Sequence, residues 1–151
     1  MKQHIYFYST LIVTLSVLIL LITGSFLLAT VIPGTSIPLG TLLTWAGMIS
    51  LPLTLYWGIK ELREPSTKGN TILSKFLRIL ITFGILWVPI SYLLSGNFSF
   101  TFSEKETFQG GQMAMRWFWY LSYGIGVGTI LTLILYWMLS VWNKKDTRNN
   151  V

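Results

Sequence analysis

From Ile5 to Ile59 the chain runs 55 residues without one Asp, Glu, Lys or Arg, and two further uncharged runs follow, Ile79 to Ser103 and Trp117 to Asn143. A soluble domain needs charged side chains spread along its surface, so runs of this length exclude an ordinary water-soluble fold. The overall balance agrees: 52% of the residues are hydrophobic and only 11% charged, with a mean hydropathy of +0.61.

Hydrocarbon leaves no partner for an open backbone amide or carbonyl, so a span must be a helix of about 20 apolar residues. Four stretches meet that need. The pattern predicts an all-α membrane protein, a four-transmembrane-helix bundle in a single integral membrane domain over residues 1–151, with spans at about 5–32, 37–59, 76–94 and 115–142. The divider of the first long run is read at Ile32-Pro33-Gly34-Thr35-Ser36-Ile37-Pro38, where proline removes a donor and glycine loosens the backbone. Lys2 precedes an apolar run as in a signal peptide, but the run exceeds the roughly 7–15 residues of a signal core and Ala29 stands without a second small residue, so the first helix is expected to stay.

Basic residues in short connections set orientation. Lys2, the middle connection with Lys60, Arg63, Lys68, Lys75 and Arg78, and the tail with Lys144, Lys145 and Arg148 hold nine; Lys105 and Arg116, between helices three and four, hold the other two. Nine against two places both termini and the middle connection in the cytoplasm and turns residues 33–38 and 95–114 outward. Lys60, Arg63, Lys68, Lys75, Arg78, Lys144 and Lys145 are thus candidates for anionic lipid headgroups, each worth about 1 kcal/mol. The net charge of +6 needs no nucleic acid, because the middle connection lacks the interleaved aromatics of a nucleic-acid surface. A bacterial cytoplasmic or inner membrane fits the cysteine-free composition and short basic tail.

Reactive groups are scarce. Without cysteine there are no disulfides, thiol nucleophiles or thiolate metal sites, and the one histidine, His4, reads as an interfacial ring and not as a haem or metal ligand. Of the five acids, Glu61 and Glu64 interleave with Lys60 and Arg63 as a solvated, salt-bridged helix end, while Glu104 and Glu106 flank Lys105 with no nucleophile beside them. No catalytic residue, cofactor or metal is expected. Proton-coupled transport usually places an ionisable group deep in a span. Arg78 and Arg116 stand about two residues inside helices three and four, where both can snorkel to headgroups. Pro52 and Pro89 read as ordinary membrane-helix kinks.

Two constellations remain. In the third connection Phe98, Phe100 and Phe102 alternate with Ser99, Thr101 and Ser103, a period of two that turns the rings to one side of a short extended or hairpin-like outer loop. The rings either sit in the interfacial aromatic belt or form an edge that receives a partner, with Glu104, Glu106 and Arg116 beside it. In helix four Gly124 and Gly128 lie four apart, a small face that admits another helix, either helix one through Ser16, Thr23, Gly24 and Ser25 or a partner's helix. Leu53-Thr54-Leu55-Tyr56-Trp57 echoes Leu133-Ile134-Leu135-Tyr136-Trp137, and both Tyr-Trp pairs read as cytosolic interface anchors.

The expectation is a small non-catalytic accessory, regulatory or immunity-type subunit of the cell membrane. It would work through contact with a larger membrane protein or complex, or with an incoming membrane-active protein. The alternative is a small transporter or a holin-like pore for an uncharged or hydrophobic solute.

Overall fold

The computed structural model describes residues 2–98 and 110–149, and the side chains of 3–98 and 110–142 among them. The described chain is a helical bundle of α1 (Lys2–Ile22), α2 (Leu39–Gly58), the single turn α3 (Lys60–Arg63), α4 (Lys68–Ser95) and α5 (Gly111–Asn149), with one 3-10 turn at Phe26–Leu28. Four of these helices are long and apolar enough to cross a membrane. They run up and down, so the start of α1, α3, the start of α4 and the end of α5 share one end, here the basic end. Hydrogen bonds from Arg63 Nη2 to Gln3 Oε1 (3.0 Å) and from Tyr136 Oη to Glu61 Oε2 (3.0 Å) tie that end together.

Helix boundaries differ from the expected spans for local reasons. The first helix stops at Ile22, ten residues before the expected Ile32, because Gly24 takes the left-handed conformation (φ +58°). Ser25 N then donates to Leu20 O and Gly24 N to Leu21 O, which is a Schellman stop. The expected turn at 33–38 is present: Pro33 and Gly34 (φ +80°) make a type II turn closed by Thr35 N to Ile32 O at 3.0 Å, and Ile32 N donates to Ile37 O. Helix α4 begins at Lys68 and not near 76, since the Thr67 hydroxyl caps it by accepting from Asn70 N at 3.2 Å. It ends on Gly96 in the left-handed region (φ +76°). Helix α5 starts four residues earlier than expected and continues past Trp142 to Asn149.

The bundle is inverted relative to a soluble one. Leu and Ile side chains cover its outside, while Thr41, Ser50, Ser74, Ser91, Ser95, Thr129 and Thr132 are buried. Small and hydroxyl residues let backbones approach, and many helix threonines satisfy themselves locally, Thr10, Thr54, Thr82, Thr129 and Thr132 each donating to the carbonyl four residues back, whereas the buried hydroxyls of Thr44 and Ser91 have no partner. Two apolar clusters fill the ends, Trp87, Phe118 and Ile125 far from the basic end and Leu62, Leu73 and Leu77 close to it.

Helix α1 lies on a stripe of α2 formed by Gly47, Ser50, Thr54 and Gly58. A Cβ at Gly47 would meet Val17 Cγ1 at 2.7 Å, one at Gly58 would meet Phe7 Cε2 at 2.8 Å, and Thr14 Oγ1 donates to Ser50 Oγ at 2.9 Å. The contact between α2 and α4 is closer still. A Cβ at Gly84 would stand 2.6 Å from Met48 O and 3.4 Å from Ile49 Cα, so only glycine allows the two backbones to meet there.

The prolines explain which carbonyls take part. Pro52 lacks the N–H that would pair with Met48 O, and Pro89 lacks the one that would pair with Ile85 O. Met48 O faces Gly84, and Ile85 O accepts from Trp45 Nε1 at 3.1 Å. Each proline therefore frees a carbonyl that the neighbouring helix engages, so Pro52 and Pro89 do more than kink their helices.

Replacing Gly84 with Ala should lower the melting temperature in detergent sharply, since overpacking against backbone costs about 1–3 kcal/mol or more. Gly124→Ala meets nothing within 4 Å and should not destabilise. Trp45→Phe should cost about 1–3 kcal/mol by stranding Ile85 O. Pro89→Ala returns an amide to that carbonyl, so Trp45→Phe with Pro89→Ala should lose less than the two changes summed, a coupling read in a double-mutant unfolding cycle.

Candidate functional site

The residues singled out in the sequence fall in three places. Phe98 follows the Gly96 cap and is already built in: its ring stacks on Tyr92 at 4.4 Å, and its carbonyl accepts from Thr41 Oγ1 at 2.6 Å. It nonetheless keeps 39% of its surface exposed. Phe100, Phe102, Glu104 and Glu106 lie outside the described residues. Arg116 is exposed on the second turn of α5, with Trp117 and Tyr120 in edge contact beside it at 6.1 Å.

Gly128 is at a helix interface, but its neighbour is α4. A Cβ there would meet Leu80 Cδ2 at 3.0 Å and Phe76 Cζ at 3.5 Å. The expected seat for helix one is thereby corrected: among the described residues the α1 backbone runs beside α2 and the 3-10 turn and not beside α5, and Gln3 adds the bond from Arg63 of α3. The physical reason is that α1 spends its inner face on the small stripe of α2, on the other flank of the bundle. Gly124 has open space around it.

At the basic end Lys60, Lys68, Lys75 and Arg78 are exposed. Arg63 is different. Its guanidinium donates to Trp57 O at 3.2 Å and Gln3 Oε1 at 3.0 Å, lies 5.8 Å from the Trp57 ring centre, and sits 3.8 Å from Glu64. It clasps α1, α2 and α3 together and has little left to offer a lipid headgroup. Lys144 and Lys145 belong to α5, and their side chains lie outside the described residues. Tyr6 against Trp57 at 5.0 Å and Tyr136 on Glu61 show that the aromatic anchors of this end also hold helices to one another.

A cleft of about 290 Å³ opens near the other end. Its floor is Thr44 and Met48 of α2, its back wall Trp87, Phe118 and Ser122, and its lips Leu21 of α1 and Trp119 and Tyr123 of α5. It exists because α1 rests on α2 while α5 rests on α4 and α2, and the backbones of α1 and α5 do not run side by side. The back wall is internally satisfied, Trp87 Nε1 donating to Ser122 Oγ at 2.8 Å and Ser122 Oγ to Phe118 O at 2.8 Å. Thr44 is not: its hydroxyl is buried and lacks the bond to the carbonyl four back that other helix threonines make. Trp119 stacks on Tyr123 at 5.2 Å and stiffens one lip.

No group of three or more His, Cys, Asp or Glu that could hold a metal occurs among the described residues. The cleft was not visible in the sequence. Thr44 carries no local mark, and only the placing of α1 on α2 makes it a floor residue. The α2 stripe did have a sequence signal, small residues at spacings of three, four and four. No known protein family, curated protein or solved structure matches this chain.

Proposed function

We propose that this is a small accessory or regulatory protein of a cytoplasmic membrane, inserted with its basic end and both termini in the cytoplasm, that works by docking another membrane protein against α1. The observation that carries this reading is the isolation of α1. Exposed apolar side chains lie around most of the helix, and Val17 is its one buried hydrophobic side chain among the described residues. A helix held on one flank by α2 presents the opposite flank to whatever lies beside it in the bilayer.

That free flank has a helix-docking composition. Ile5, Ile12 and Ile19 are 60%, 63% and 59% exposed and recur every seven residues, with exposed Ser9 and Ser16 between them. Small residues seven apart allow a second helix to come close, and their hydroxyls offer interhelical hydrogen bonds. Small residues are also what α2 uses to hold α1, through Gly47, Ser50, Thr54 and Gly58. The inverted polarity of the bundle supports insertion, and the nine-to-two division of basic residues supports the orientation.

Phe98, Phe100, Phe102, Glu104, Glu106 and Arg116 would give a partner a second contact on the outer side, beside Trp117 and Tyr120. The transporter reading has less behind it: between α2, α4 and α5 the centre is filled by the Gly84–Met48 approach and the tilted Trp87–Phe118 ring pair at 5.7 Å.

Reporter fusions at Gly69 and Val151 should signal cytoplasm and one at Gly110 the exterior; the opposite pattern would overturn the orientation. For partner docking, the full chain is purified in mild detergent and its co-purifying proteins identified by mass spectrometry. Ser9→Leu with Ser16→Leu should remove a stoichiometric partner while leaving the melting temperature unchanged, because both positions face away from α2. Retention of the partner by this variant, or recovery of the native protein alone, rejects α1 as the docking helix.

A further inference from the structure

The cations of the basic end differ in what holds them. Arg63 is spent on Trp57 O and Gln3, whereas Lys75 and Arg78 of α4 are exposed and make no side-chain hydrogen bond or ion pair among the described residues. The acids of α3 and its cap are turned elsewhere, Glu61 accepting from Tyr136 and Glu64 lying beside Arg63. Asp146 comes no nearer. Leu139 of α5 lies on Gly69, and the helix then runs seven residues further from Lys75, which sets Asp146 about 20 Å from it along the bundle. Two like charges three residues apart repel, and nothing described in the chain neutralises them.

We infer that Lys75 and Arg78 together hold the phosphate of one anionic glycerophospholipid in the leaflet at the basic end, its acyl chains lying along the outer face of α4. The inference rests on the membrane insertion proposed above but not on the docking role of α1. Residues three apart on a helix stand side by side, with Cβ atoms about 5–6 Å apart, so both side chains reach one phosphate. Helical side chains lean toward the N-terminus of their helix, and that of α4 is at the basic end, so Arg78 reaches back toward Lys75 and toward the headgroups. Below the pair, Ile79 and Leu86 continue the face of Lys75 at four and eleven residues, both exposed and apolar, as a chain hanging from that phosphate requires.

Depth selects a lipid phosphate as the anion. From Ser95, the last residue of α4, back to Lys75 is twenty residues, about 30 Å at 1.5 Å a residue, which is the thickness of a hydrocarbon core. No charged residue occurs between Ile79 and Ser95. Lys75 thus stands at the edge of the hydrocarbon and Arg78 just inside it, at a level where phosphates are the anions present and where an acidic segment of a soluble protein would have to displace headgroups. Lys68 shares the face but not the level, since it is seven residues or about 10 Å further out, past a headgroup layer of about 5–7 Å a side. Phosphatidylglycerol suits the pair better than phosphatidylethanolamine, whose own ammonium competes for the phosphate. The contact is ionic, and no covalent bond is made or broken.

The test begins with the full chain in vesicles of phosphatidylethanolamine and phosphatidylglycerol, where resistance to carbonate extraction checks insertion; an extractable protein sinks insertion and the site with it, and a later failure counts against the site alone. Phosphatidylglycerol binding is then titrated by native mass spectrometry in mild detergent, which depends neither on orientation nor on a partner of α1. Phosphatidylglycerol should bind more tightly than phosphatidylcholine of the same chains. Lys75→Gln and Arg78→Gln should each weaken it about fivefold, the worth of one interfacial cation, and the double substitution should remove the preference. Arg78→Lys, which keeps the charge, should retain most of the affinity, and Lys68→Gln should leave it nearly unchanged. Both positions are exposed, so the melting temperature should stay the same throughout. Millimolar inorganic phosphate should not displace the lipid. Binding indifferent to the double substitution, an equal loss on Lys68→Gln, displacement by inorganic phosphate, or loss of a protein partner from the double variant while phosphatidylglycerol affinity is kept, overturns the assignment.

Discussion

The meeting of α2 and α4 at Gly84 is the contact on which the rest of the bundle is hung. Two helix backbones come close enough that a single methyl group would strike the Met48 carbonyl at 2.6 Å. In hydrocarbon, apolar burial gives helices little reason to associate, because lipid tails are as apolar as leucine; close packing and interhelical hydrogen bonds must supply the attraction. Gly84 supplies the first and the Trp45–Ile85 bond the second, one turn apart on the same seam. Proline, usually a liability inside a helix, is what makes both carbonyls free to engage a neighbour.

The other helices are placed by this pair. Helix α5 lies against α4 through Gly128 on Leu80, Gly69 on Leu139 and the Trp87–Ser122 bond, and α1 lies against α2 through its small stripe. Because the two outer helices use different partners, they never close over the seam, and the cleft above Thr44 follows from that geometry alone. At the basic end the single turn α3 reverses the situation. Leu62 is completely buried and Arg63 reaches α1 and α2, while Glu61 takes the Tyr136 hydroxyl, so four helices converge on four residues.

Much of this is legible in the residues, for reasons that are themselves physical. Uncharged runs reveal how many helices can cross a membrane, since the cost of charge in hydrocarbon leaves no other distribution. They do not reveal where a helix stops, because polar caps are cheap in sequence: Thr23-Gly24-Ser25 ended α1 where Pro33 looked the stronger signal, and Thr67 began α4 inside a basic stretch. Pairwise seating is harder still. Gly124 and Gly128 announced a close contact, yet which helix fills it depends on the whole arrangement, and the answer was Leu80 for one and nothing for the other. Arg63 was equally opaque, since a lipid-facing arginine and a clasping one look alike until Gln3 and Trp57 come beside it. The proline-freed carbonyls could have been counted from Pro52 and Pro89, four residues back in each case, but their acceptors' fate required the partner helix.

The Schellman stop at Gly24 also decides how the helices compare in length with the thickness of a bilayer. It leaves α1 a membrane-crossing candidate of 20 residues, the same as α2, whereas the candidates of α4 and α5 are 28 and 32 residues long and include Lys68, Lys75 and Arg78 early in α4 and Arg116 early in α5. At 1.5 Å a residue these are about 30, 42 and 48 Å against a hydrocarbon core of about 30 Å. In such a bilayer the extra length of α4 and α5 would carry these cations out to the headgroups, those of α4 at the basic end and Arg116 at the opposite one.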